Sequence, residues 1–98
     1  MKAYSSIFYE KATVANALGA DYENMYRLLL ETRYMSNAEK KKRVDEYLRS
    51  MPYPTNVKYL IKYIFGDTTK KTKKRAALAL KNANIDEETK KEWLKKLK

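Results

Sequence analysis

The sequence contains no cysteine and no histidine. Disulfides, thiol chemistry, Cys/His metal sites and histidine-based acid–base catalysis are therefore outside its repertoire. Glycine and proline are scarce, two of each in 98 residues, so regular elements joined by short loops are expected. No apolar run approaches the roughly 18–20 residues of a membrane span. The amino terminus "MKAYSSIFYEK" also lacks the apolar core of a secretion signal. The expectation is a soluble, cytoplasmic protein without metal, cofactor or membrane partner. A length of 98 residues with 44% hydrophobic side chains suits one domain with one core.

Positive charge, by contrast, is abundant, and it is unevenly spread. The net charge is +10. Residues 1–35 carry four cations (Lys2, Lys11, Arg27, Arg33) and four acids (Glu10, Asp21, Glu23, Glu31). Residues 36–66 carry seven cations against three acids, and residues 67–98 eleven against five. A neutral segment, 1–35, thus precedes a basic one, 36–98. A field of that kind favours nucleic acid, an acidic protein surface or anionic lipid.

Apolar spacing and stop signals predict an all-α, compact bundle of about five to six short helices. A first helix is expected from about Ser6 to Leu18, capped by Ser5 or Ser6 and stopped by Gly19. Asp21 caps a second, reaching about Tyr34. In "SNAE", Ser36 and Glu39 have capping-box spacing and open a third helix, which must stop before Pro52 and Pro54. Thr55 or Asn56 starts a fourth, "VKYLIKYIF", closed by Gly66. Asp67 or Thr68 begins a fifth ending near Asn84, and Asp86 opens a sixth with Glu87 and Glu88 in its first turn. Val57, Leu60, Ile61 and Ile64 follow i, i+3, i+4, i+7. Met25, Leu28, Leu29 and Leu30 spread apolar surface widely, so the second helix is expected at the centre. Within the third helix, Glu39 is expected to pair with Arg43 and Asp45 with Arg49.

Residues 11–30, "KATVANALGADYENMYRLLL", have a small residue (Ala15) inside one helix and a glycine (Gly19) in the turn four positions later. Buried aliphatics follow at Met25 and Leu28, with Val14 and Leu18 as apolar flanks. That pattern resembles the helix-turn-helix of DNA-binding repressors. The resemblance covers about one-fifth of the chain and implies that the helix from Asp21 enters the major groove. It would present Tyr22, Glu23, Tyr26 and Arg27 to the bases, Arg27 reading a guanine edge.

The strongest cationic signal lies in "DTTKKTKKRAALAL". Lys70, Lys71, Lys73, Lys74 and Arg75 crowd the start of a helix, where the dipole prefers acids. Such a cluster gains nothing from its own helix and is expected to meet an external anion; in a nucleated cell it also suits a localisation signal. On the fourth helix Lys58, Lys62 and Tyr59 point away from the apolar face, with Tyr63 at its margin. Ammonium groups beside rings suit phosphates and unpaired bases; tyrosines at a core edge with wet hydroxyls are the plainer use. "EKKKR" and "KKEWLKKLK" are expected to be solvated faces. Lysine outnumbers arginine seventeen to five, which favours phosphate contact over base reading. Without a phosphate loop, metal-ligand spacing or nucleophile motif, an enzyme is not expected. The function expected is nucleic-acid binding, DNA before RNA, by a small regulator or accessory factor. The alternative is a small inhibitor or adaptor whose basic face docks on an acidic surface of a larger nucleic-acid-handling protein.

Overall fold

Each helix in the structure, a computed structural model that describes residues 2–97, starts or stops where a local backbone requirement is met. The helices are α1 (Lys2–Ala17), α2 (Tyr22–Thr32), α3 (Asn37–Arg49), α4 (Thr55–Ile64), α5 (Lys70–Lys81) and α6 (Glu87–Lys96); the described residues contain no strand. Gly19 ends α1 at φ 104° and Gly66 follows α4 at φ 111°, the left-handed backbone that glycine adopts without a Cβ clash. In both turns the next residue's N–H reaches back five positions, Ala20 to Ala15 O at 3.1 Å and Asp67 to Lys62 O at 3.0 Å. This is the Schellman closure. Asp21 accepts from Asn24 N, Ser36 and Glu39 form the reciprocal capping box, and Asp86 accepts from Thr89 N.

Four boundaries differ from the sequence expectation. The backbone of α1 is already helical at Lys2 rather than Ser6, because no residue before Ser6 interrupts it. α2 stops at Thr32, short of Tyr34; the Thr32 hydroxyl donates back to Leu28 O at 2.9 Å and Tyr34 stands 86% exposed. α5 is capped by Thr69, not by Asp67 or Thr68: Thr69 Oγ1 accepts from Thr72 N at 3.4 Å, while Asp67 accepts from Thr69 N at 3.1 Å, one step earlier. α5 also ends at Lys81, before Asn84. There the Asn82 side chain donates to Leu78 O at 3.2 Å.

The centre of the bundle is α4, not α2. Leu60 and Ile61 are fully buried, and α4 meets α5 extensively and also α1 and α3. α2 lies against α1, with Leu30 37% exposed. Three consecutive leucines step by about 100° each, so the third cannot share one core-facing side. Ala76 and Ala79 bring α5 close to α4, and Trp93 and Leu97 seat α6. Tyr47 and Tyr53 share a hydroxyl hydrogen bond of 3.0 Å that ties the proline segment to α3. Burial, then the Tyr53 hydroxyl, pushes the Tyr47 phenol well above its ordinary pKa.

Neither expected ion pair within α3 forms. Arg43 reaches across to Glu31 at 2.6 Å, tying α3 to α2, because Glu39 is engaged in the capping box. Asp45 takes Lys41 at 3.4 Å instead of Arg49.

Candidate nucleic-acid interface

The outer side of α4 follows from the burial of its inner side. With Val57, Leu60, Ile61 and Ile64 in the core, Lys58, Tyr59 and Lys62 are left half-exposed. Tyr63 turns edge-on to Trp93, ring centres 6.3 Å apart, and so belongs to the margin of the core. Tyr59 becomes a meeting point. Lys62 Nζ stands 5.0 Å from its ring centre, and Lys71 Nζ from the first turn of α5 stands 5.8 Å away. A tyrosine face attracts ammonium groups electrostatically, and two cations drawn to one ring raise the local positive field.

The remaining cations of α5 surround the same helix start. Lys70, Lys71, Lys74 and Arg75 are exposed and Lys73 is half-buried. Its first turn contains no acid. The nearest carboxylate in sequence, Asp67, is occupied by its own loop. Burial pushes its pKa up, but hydrogen bonds from Thr69 and Thr72 outweigh that and hold it below the ordinary carboxylate value. Among the described residues the ion pairs are Arg27–Glu23, Lys41–Asp45 and Arg43–Glu31. None involves α4 or α5, so Lys58, Lys62, Lys70, Lys71, Lys73, Lys74 and Arg75 have no ion-pair partner among the described residues.

The sequence-expected residues of α2 form a separate group. Tyr22 and Tyr26 are half-buried and stack on one another at 6.1 Å. Tyr9 meets Tyr22 edge-on at 5.8 Å, and Phe8 meets Tyr26 at 6.3 Å. Arg27 extends into solvent with Glu23 at 3.8 Å. Ala15, Met25 and Leu28 are buried as expected for a helical hairpin. Such a hairpin buries those positions whether or not its second helix enters a groove.

Lys41 was not singled out in the sequence. It and Lys62 line a depression of about 300 Å³ between α3 and the α4–α5 turn. No local signal identifies it, since only helix packing places α3 beside that turn. Among the described residues no group of acidic side chains suits a metal ion, and no helix is long and apolar enough to cross a membrane. Compared with protein-family models, curated proteins and solved structures, the chain matches none of them.

Proposed function

We propose that the chain binds nucleic acid, DNA in preference to RNA, as a small non-catalytic regulator or accessory factor. Its grip is on phosphates, through Lys70, Lys71, Lys73, Lys74 and Arg75, with Lys58 and Lys62 beside them. Tyr59 offers a ring to an unpaired base. The observation that carries this reading is the convergence of Lys62 and Lys71 on Tyr59 in a surface whose cations have no acidic partner. Uncompensated lysines release counterions when they meet phosphates, which drives binding without reading sequence. In the helix-turn-helix reading, α2 adds Tyr22, Tyr26 and Arg27; the Arg27–Glu23 pair is solvent-exposed, so little holds Arg27 back from a guanine. The protein would then work in the cytoplasm at the nucleoid, or in the nucleus of a eukaryotic cell.

The test is fluorescence anisotropy with duplex and single-stranded DNA at two salt concentrations. Expected is an affinity that falls steeply with salt and is lost when Lys70, Lys71, Lys73 and Lys74 are all changed to Glu. Affinity unchanged by that reversal overturns the proposal.

A second reading has its own observation. Tyr9 is 62% exposed and lies beside Leu30 in a shallow depression of the α1–α2 surface, and such aromatic surface suits protein interfaces. An inhibitor or adaptor of a larger nucleic-acid-handling protein would dock its basic face on an acidic patch, with the α1–α2 aromatic surface as a second contact. That reading predicts negligible affinity for free DNA and a complex with one defined partner from the native host.

A further inference from the structure

Helix packing assembles a second cationic site that no single segment of the sequence contains. Lys11 of α1, Arg33 just past α2, Lys40 of α3 and Lys96 of α6 line one open groove of about 520 Å³. Lys11 is half-buried. Burial, then the charges of Lys40 and Lys96, lowers its pKa against the opposing pull of Glu10, so Lys11 lies within the field of both lysines. The groove's single acid is Glu10, and its carboxylate accepts the Trp93 indole N–H at 3.3 Å. No ion pair among the described residues includes Lys11, Lys40 or Lys96. Arg33 is held in place by a 2.5 Å hydrogen bond to Leu30 O and by the Tyr34 ring 4.7 Å away.

Between these charges the lining is apolar. Phe8, Leu29, Phe65 and Trp93 contribute to it, and Ile7 adds a wall that is 48% exposed. The Thr32 hydroxyl already donates to Leu28 O and has no proton left to offer. The groove therefore supplies positive charge and apolar surface, with Thr68 and Tyr63 as its further hydroxyl-bearing side chains. A phosphodiester strand would leave the apolar wall unused. The volume falls in the range of about 300–1,000 Å³ common to small-molecule sites.

We propose that this groove binds a small dissolved amphiphilic anion, of the alkyl phosphate class. Its doubly charged head sits among Lys11, Lys40 and Lys96, and its apolar body lies against Ile7 and Leu29. The groove borders the α4–α5 turn through Phe65, Gly66 and Thr68 but contains none of the cations assigned to the nucleic-acid surface.

The experiment is calorimetric titration of the full chain with octyl phosphate below its micelle concentration, with inorganic phosphate and octanol as separate titrants. Octyl phosphate is expected to bind at least about tenfold more tightly than inorganic phosphate, and octanol not measurably. Lys40→Gln combined with Lys96→Gln should weaken octyl phosphate by about tenfold, as should Ile7→Ser alone, with the helical circular dichroism of both variants intact. The reversal of Lys70, Lys71, Lys73 and Lys74 to Glu should leave octyl phosphate affinity within about threefold. Equal affinity for inorganic phosphate, indifference to the Lys40 and Lys96 changes, or binding only to phosphatidic acid vesicles would each overturn the assignment.

Discussion

The α1–α2 and α4–α5 hairpins close their first helices in the same manner, with Gly19 at φ 104° and Gly66 at φ 111° and matching reach-back hydrogen bonds. Their surfaces differ. In α1–α2 the aromatic side chains occupy one another, through Tyr9, Tyr22, Tyr26 and Phe8, and Arg27 has Glu23 beside it. In α4–α5 the first turn holds no acid and two lysines share one tyrosine ring. Backbone geometry is therefore not what distinguishes the two hairpin surfaces. The distribution of counter-charges is, in keeping with the rule that function lives in sites carried by a fold.

The comparison breaks most visibly in the core. Leu60→Ala should cost about 2–5 kcal/mol in urea unfolding, because α4 is packed from several sides. Leu30→Ala, on the outer side of α2, should cost less than about 1 kcal/mol. Similar losses at the two positions would return α2 to the centre of the fold.

The next largest effect sharpens the charge contrast. Changing Lys70, Lys71, Lys73 and Lys74 to Glu should lower DNA affinity by about 100-fold or more and reduce the salt slope by about three to four. The same variant should unfold at a higher temperature, since acids near a helix amino end contribute about 0.3–1 kcal/mol each. Arg27→Ala should lower affinity for random-sequence DNA far less than the four-lysine reversal, since it removes at most one phosphate contact.

The glycines test the shared closure directly. Gly19→Ala and Gly66→Ala should each cost about 1–2 kcal/mol, read by urea midpoint, because alanine is strained at positive φ. A Cβ at either position would meet open space, so the loss is conformational and should be nearly equal. The smallest effects belong to the caps. Thr69→Ala should cost about 1 kcal/mol, and Asp21→Ala a similar amount.

Acid should act on particular carboxyls. Hydrogen bonds from Thr89, chiefly its backbone N–H, hold Asp86 below the ordinary carboxylate pKa. Asp67 is held down by the Thr69 and Thr72 bonds, which outweigh its burial. Stability from both is complete above the unfolded carboxyl pKa of about 3.9 and is lost as pH falls through the lower folded values. The urea midpoint should therefore fall between about pH 5 and about pH 2, with a smaller fall in an Asp86→Asn variant.

The turn residues made most of the secondary structure legible. Ser36 and Glu39, Asp21 and Asp86 cap as their spacing implies, and the two glycines stop helices where expected. The misses have a common cause. Thr69 prevailed over Asp67 as the cap because Asp67 had a nearer use in the preceding turn. Arg43 left its own helix for Glu31, a residue twelve positions away, because α2 and α3 bring the two together. In the candidate interface the run of α5 cations was visible in sequence, whereas the meeting of Lys62 and Lys71 at Tyr59 was not.

By itself the sequence determined six helical segments, their punctuation and the skew of positive charge toward the last two-thirds of the chain. These depend on interactions spanning three to five residues, such as a side chain reaching an N–H one turn away. Only the tertiary structure decided that α4 is central, that two helices share Tyr59, and that Lys11, Lys40 and Lys96 face one groove. Those outcomes depend on how the helices cross, and crossing is set by the simultaneous burial of apolar faces far apart in the chain.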